Sequence, residues 1–213
     1  MAQHKALASP VIRGLYAVTP DCSDTAALLL SVRQALSGGV RVLQYRNKIA
    51  DAALSLRQAQ TLRELTREFG VTFIVNDDAR LAASVAADGV HLGASDGAVS
   101  QARALLGKDR LVGVSCYNQL QLGRDAELAG ADYVAFGAFF ASSVKPGAAA
   151  ATADLLREAR AELRVPIVAI GGITADNGEV LLRAGADALA VISAIFAAAE
   201  IQQAAHNLSK LFR

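Results

Sequence analysis

The chain has 213 residues, 53% of them hydrophobic, with 21 basic against 20 acidic side chains and a formal net charge of +1. That length and composition can bury a sizeable core in one large domain or two small ones, and the balanced charge argues against a general nucleic-acid or anionic-membrane binder. The two cysteines, Cys22 and Cys116, are far apart and in no metal-ligand spacing, which implies reduced thiols in a cytosolic protein. The first ten residues, "MAQHKALASP", lack the apolar core of a signal peptide, and "ALAVISAIFAAA" is too short to span a bilayer. A cytoplasmic protein with a flexible tail over residues 1–10 is therefore expected.

In chain order, apolar runs alternate with helix-compatible stretches. The strands are predicted at 14–19, 40–46, 71–76, 89–93, 111–115, 132–137, 166–170 and 188–192. Four of them rhyme: "SGGVRVLQYR", "AADGVHLG", "AGADYVAFG" and "AGADALAVIS" each leave an Ala/Leu-rich run, turn at Gly or Asp and enter a short apolar strand. The clearest helix is "DAALSLRQAQTLRELTREFG", with Leu at three- and four-residue spacing and Gly70 placed to cap its end. Nearly continuous apolar strands alternating with helices imply a parallel sheet covered on both faces. Eight such units in this length predict a single-domain (β/α)8 TIM barrel over residues 1–213, with an open doubly wound sheet as the competing arrangement.

In such a barrel the chemistry sits where strands exit at their C-terminal ends. The exits hold Thr19, Pro20 and Asp21; Gln44, Arg46 and Lys48; Asn76, Asp77 and Asp78; His91 and Asp96; Ser115; Ser142, Ser143 and Lys145; Gly171 and Gly172; and Ser193, which is placed to cap the last helix. Gln44, Arg46 and Lys48 alternate, so a continued strand would put all three on one face. Three cations (Arg46, Lys48, Lys145) beside carboxylates (Asp77, Asp78, Asp96) suit a diphosphate held with Mg2+, which takes one or two carboxylates and phosphate oxygens. "GGIT" and the helix start in "ISAIF" suggest a second anion site of backbone N–H groups.

Each signal also has an ordinary reading. Arg46 and Lys48 are compatible with surface charges past a strand end. Asp77 or Asp78 is expected to cap the helix beginning "DARLAASVAA", with the other facing the site and Asp78 the better cap. Asp96 is a second capping candidate. A strand histidine such as His91 is more often a satisfied core residue than a catalyst. Ser115 fits a turn, "GGIT" a tight turn without ligand, and Cys116 and Tyr117 rim packing. The joint polarity of the exits is what these readings leave unexplained.

"QYRNK", "VNDD", "HLGASD", "GVS", "SSVKPG", "GGIT" and "VISAIF" occur in the order seen in the thiamine phosphate synthase (thiamine-phosphate pyrophosphorylase) family, and the resemblance runs from "GLYAVT" to the last helix. It implies a cytoplasmic transferase that joins 4-amino-2-methyl-5-(diphosphooxymethyl)pyrimidine to 4-methyl-5-(2-phosphoethyl)thiazole, or the carboxylated thiazole. The products are thiamine phosphate and pyrophosphate. The chemistry implied is dissociative: diphosphate departs, a pyrimidinylmethyl cation forms, and the thiazole nitrogen captures it. By the same resemblance Gln44, Tyr45, Arg46, Asn47 and Lys48 bind the pyrimidine diphosphate, joined by Asn76, Ser115 and Lys145. Arg46, Lys48, Ser115 and Lys145 carry the catalytic work. Asp77 and Asp96 hold Mg2+. Ser142, Ser143 and Val144 face the thiazole phosphate, with Gly172, Ile192 and Ser193 supplying backbone contacts.

The chain departs from the family pattern at three places: Ala94 where Gln is frequent, Ser142-Ser143-Val144-Lys145 where Thr-x-Thr-Lys is frequent, and "SCYN" where His-Thr usually follows the serine. Val144 cannot donate a side-chain hydrogen bond. Two competing functions share the barrel. A thiazole tautomerase-like isomerase needs no diphosphate site, so Mg2+ dependence discriminates against it. A non-catalytic phosphate-ligand sensor would not need the full set of cations and carboxylates. Partners are expected to be the two small molecules, with no nucleic acid and no membrane; a homo-oligomer is left open.

Overall fold

The structure, a computed structural model, describes residues 12–93, 98–141 and 151–213. Within these the elements run β1 (Gly14–Val18), α1 (Thr25–Ser37), β2 (Val42–Tyr45), α2 (Ala52–Phe69), β3 (Thr72–Asn76), α3 (Ala79–Ser84), β4 (Gly89–Leu92), α4 (Val99–Leu106) and β5 (Leu111–Tyr117). They continue with α5 (Leu120–Leu128), β6 (Tyr133–Gly137), α6 (Ala153–Glu162), β7 (Ile167–Ile170), α7 (Glu179–Arg183), β8 (Ala188–Val191), α8 (Ser193–Phe196) and α9 (Ile201–Ser209). All neighbouring strands pair in parallel, and β8 pairs with β1 through Tyr16 and Ala190 among others, so the sheet closes. The open doubly wound sheet is excluded. The proposed tail at residues 1–10 lies outside the described residues.

Local chemistry starts and stops the helices where the pattern implied. Asp24, Asp51 and Asp78 cap α1, α2 and α3, the first and last accepting from two backbone N–H groups of the first turn and Asp51 from that of Leu54. Gly70 ends α2 in the left-handed conformation at φ 64°, which costs glycine least. Strand alternation then divides the apolar residues between two cores. Tyr16, Val18, Val42, Ile74, Tyr133, Ala135, Val168 and Ala190 fill the barrel interior. Leu15, Leu43, Phe73, Val90, Val134 and Leu189 face outward against the helices.

The rhyming Asp residues prove to be barrel clamps. Asp88, Asp132 and Asp187 stand just before β4, β6 and β8. Each accepts from a backbone N–H at the start of the preceding strand (Phe73, Val112 and Ile167) and pairs with an arginine of the helix leading into that strand (Arg63 of α2, Arg103 of α4 and Arg160 of α6). The first clamp is the least exposed, with Arg63 gripping Asp88 through two bonds of 2.8 Å. One motif thus fixes the register of three strand pairs at the end of the barrel opposite the strand exits. Arg41 occupies the corresponding position before β2, so the fourth rhyme has no carboxylate to clamp.

Candidate active site

A cavity of about 550 Å3 opens among the strand exits, lined by Gln44, Arg46, Asn76, His91 and Ser115 on one side and by Gly171, Gly172, Ile192 and Ser193 on the other. Its size suits a small-molecule site. A cavity of about 630 Å3 at the opposite end, beside Arg13, Arg41 and His206, lies away from every strand exit. That face of a barrel serves stability rather than chemistry.

The alternation expected through Gln44, Arg46 and Lys48 holds only to the end of β2 at Tyr45. Gln44 points into the barrel, 6% exposed, and donates from Nε2 to the Tyr16 hydroxyl at 2.8 Å. Tyr45 points the other way and donates to Gln58 of α2. Beyond it the chain is held by side chains rather than by a ladder. Thr19 Oγ1 both donates to the Arg46 carbonyl and accepts from the Arg46 N–H, each at 2.8 Å. Asp21 Oδ1 accepts from the Arg46 guanidinium at 3.0 Å and from the Lys48 backbone N–H at 2.7 Å. Asn47 donates to the Cys22 carbonyl and to Gln58. The side chains of Tyr45 and Asn47 are therefore engaged with α2 and the β1 exit instead of lining the cavity. The strand pleat turns the Tyr45 side chain away, and the tether to Gln58 holds that of Asn47. Lys48 lies in a bend, not on a strand face, and its Nζ pairs with the Asp77 carboxylate; neither residue is among those lining the cavity.

The two aspartates of "NDD" separate, and the cap is Asp78, as expected. Asp78 accepts from the N–H groups of Arg80 and Leu81, both at 2.9 Å, and is the helix cap. Asp77 adopts φ 65°, a left-handed conformation uncommon outside glycine, and its N–H donates to the His91 carbonyl. Its carboxylate is a hard oxygen donor and so fits a cation such as Mg2+. Among the described residues no three His, Cys, Asp or Glu side chains gather as a metal cluster. Asp96, the second expected ligand, lies outside the described residues, as do Ala94, Ser142, Ser143, Val144 and Lys145.

The β7 exit shows a further role for its glycines, and one expectation about the β8 exit changes. The glycines of "GGIT" make room for the chain itself. A Cβ on Gly171 would fall 2.4 Å from the Cβ of Ala138, and one on Gly172 would fall 2.5 Å from the Ala141 carbonyl oxygen. Both glycines have positive φ, 105° and 63°. They seat the segment after β6 directly on the β7 exit, where Phe140 N–H donates to the Gly171 carbonyl. Ser193 does not cap a helix. It is the first residue of the one-turn α8, Ile192 holds the cap position, and no side chain caps it. The last helix, α9, begins after Glu200.

The cavity floor carries groups that the apolar strand pattern concealed. Tyr16 and Tyr133, from "GLYAVT" and "ADYVAFG", face inward with their hydroxyls 3.0 Å apart. The Tyr133 hydroxyl is also 3.0 Å from His91 Nδ1, and His91 Nε2 is 2.9 Å from Ser115 Oγ. The His91 and Tyr133 rings stack, with centroids 5.5 Å apart. Gly113 allows this, because a Cβ there would lie 2.0 Å from Tyr133 Cζ. Burial pushes both phenols well above their ordinary pKa. His91 is thus a satisfied core histidine that also lines the cavity. Only the inward phase of β1 and β6, the same as that of the strand 4 histidine, could have revealed the tyrosines from sequence. Cys116 faces the outer layer, and burial pushes its thiol up to about 12, so it offers no thiolate.

A family model described as thiamine monophosphate synthase matches residues 15–195. The thiamine-phosphate synthase of Azoarcus sp. (strain BH72) is 57% identical over 201 residues, covering 94% of this chain and 98% of that protein. The thiamine-phosphate synthase of Methylobacillus flagellatus is 52% identical over 203 residues, covering 95% of this chain and 97% of that one. Among solved structures, thiamine phosphate pyrophosphorylase from Pyrococcus furiosus superposes with a TM-score of 0.84 at 35% identity, covering 93% of this chain and 95% of that one. The extent of these matches, over the same barrel and the same strand exits, places the chain in the thiamine monophosphate synthase family.

Proposed function

We infer that the chain is a transferase of the thiamine-phosphate synthase kind. It joins 4-amino-2-methyl-5-(diphosphooxymethyl)pyrimidine to 4-methyl-5-(2-phosphoethyl)thiazole, or its carboxylated form, and yields thiamine phosphate and pyrophosphate. The observation that carries this reading is the cavity of about 550 Å3 where Arg46, Gln44, Asn76 and Ser115 converge from three strand exits. The isomerase and sensor readings have no comparable support, since the relatives named above are synthases.

The reaction breaks the bond between the pyrimidinylmethyl carbon and diphosphate oxygen and forms a bond from that carbon to the thiazole nitrogen. Negative charge develops on the departing diphosphate. Fixed cations beside it lower the barrier because they need no reorganisation. Arg46 and Lys48 supply this charge, with Lys145 joining them from the β6 loop. Both described cations rest on carboxylates, Asp21 and Asp77. A diphosphate would take over those contacts rather than bind undressed cations. Ser115, Asn76 and Gln44 orient the pyrimidine diphosphate. Ser142, Ser143 and Val144 face the thiazole phosphate, with backbone contacts from Gly172, Ile192 and Ser193. Asp77 and Asp96 would hold Mg2+, which neutralises diphosphate charge when bound. A dissociative path needs no protein nucleophile, and the inert Cys116 agrees with that. No helix among the described residues is long and apolar enough to cross a membrane.

The test is incubation of the purified protein with both substrates and Mg2+, with thiamine phosphate measured directly. Product with either thiazole form is expected. Its absence with both would overturn the reading.

A further inference from the structure

Five side chains on five strands form one continuous hydrogen-bonded chain across the cavity floor: Gln44, Tyr16, Tyr133, His91 and Ser115. Its members span β2, β1, β6, β4 and β5. Tyr16 and Tyr133 are each no more than 1% exposed. Each buried phenol keeps its hydrogen at neutral pH and can donate it only once. Such a chain has two self-consistent directions, and one end selects between them.

Gln44 presents its amide nitrogen to Tyr16. That nitrogen only donates, so the Tyr16 oxygen accepts and the Tyr16 hydrogen goes to Tyr133. Tyr133 then donates to His91 Nδ1. With Nδ1 accepting, the neutral imidazole carries its hydrogen on Nε2 and donates it to Ser115 Oγ. Ser115 has no other hydrogen-bond partner among the described residues, so its own hydrogen is left for the cavity. Turning the Gln44 amide over would reverse every bond. Ser115 would then spend its hydrogen on His91 and show the cavity only lone pairs. An anionic oxygen meets a donor in the first arrangement and repulsion in the second.

We propose that Tyr133, Tyr16 and His91 are positioning residues that, with Gln44, lock His91 as the Nε2–H tautomer and so make Ser115 an obligatory donor to an anionic oxygen of the bound diphosphate. The ligand half of this inference rests on the function proposed above; the tautomer half does not. The device explains why two tyrosine hydroxyls lie in an otherwise apolar barrel interior, where an unpartnered hydroxyl would be costly. It also explains the missing side chain at Gly113, the register partner of both His91 and Tyr133, which leaves space for the Tyr133 ring.

Nitrogen-15 NMR of the imidazoles in the intact, uniformly labelled protein tests the lock. The chain has three histidines, and His91 is assigned by difference from a His91→Gln sample. The wild-type spectrum is expected to show Nδ1 bare and Nε2 protonated. In Tyr133→Phe, which removes the donor to Nδ1 with little change of volume, the two tautomers should mix. Binding of inorganic pyrophosphate with Mg2+, measured by calorimetry, should weaken about tenfold or more in Ser115→Ala and about threefold in Tyr133→Phe. Circular dichroism checks that each variant is folded. A wild-type His91 protonated on Nδ1 overturns the proposal without any variant. So does an unchanged pyrophosphate affinity in Ser115→Ala. A protein that forms no thiamine phosphate yet shows the expected tautomer would sink the proposed function and leave the lock standing.

Discussion

Replacing Gly113 by alanine should unseat the Tyr133 ring. The added Cβ would lie 2.0, 2.3 and 2.5 Å from Tyr133 Cζ, Cε1 and Cε2. Carbon atoms settle at about 3.5 Å or more, so ring or strand must yield by roughly 1.5 Å. The Tyr133 hydroxyl sits 3.0 Å from both Tyr16 and His91. A shift of that size takes both pairs beyond hydrogen-bonding range. Overpacking costs roughly 1–3 kcal/mol. Each lost bond adds about 0.5–1.5 kcal/mol. The lower unfolded-state entropy of alanine returns about 0.4–1 kcal/mol. The net loss is roughly 1–5 kcal/mol, and at about 2–4 °C per kcal/mol for a domain of this size the Tm should fall by roughly 2–20 °C. Thermal unfolding followed by circular dichroism reads this, and nitrogen-15 spectra of His91 report the broken chain. An unchanged or raised Tm with unaltered His91 signals would refute the claim that Gly113 exists to admit the ring.

Other substitutions separate the roles of the strand exits. Arg46→Ala should weaken binding of the pyrimidine diphosphate by roughly 10- to 150-fold, the cost of a lost charge-assisted bond, and hardly change thiazole phosphate binding; equal losses in calorimetry would contradict the assignment. Asp77→Asn should cut kcat strongly across a Mg2+ titration, whereas Asp78→Asn should leave the rate nearly intact because asparagine also caps helices. Activity in Asp77→Asn with loss in Asp78→Asn would mean the two are reversed. Asp88→Ala should destabilise the barrel by about 3–5 kcal/mol, since it strands the buried Arg63 guanidinium, and urea unfolding should show it; a loss below about 1 kcal/mol would show that the clamp is not structural.

Much of the architecture follows from the sequence because barrel strands are short, apolar on both faces and separated by helices with their own caps. Eight apolar runs, the leucine spacing of α2, and the aspartates at 24, 51 and 78 are local signals, and local backbone preferences realise them directly. The set of polar strand exits is likewise local: a residue just past a strand end must lie at the mouth once the fold is a parallel barrel. Family membership rests on the same order of motifs. What sequence could not decide depends on groups distant along the chain. Tyr16 and Tyr133 are 117 residues apart and read as ordinary apolar strand positions until barrel closure brings their hydroxyls together. The aspartates of the rhyming turns read as turn formers, and only the neighbouring strand and the helix leading into it reveal them as clamps. Tyr45 and Asn47 stand beside Arg46 in the motif, yet α2 draws their side chains away through Gln58. The glycines at 171 and 172 line the cavity, but only the fold shows that they also make room for the segment leaving β6. Sequence periodicity specifies which face a residue takes; what stands opposite that face is determined only when the barrel closes.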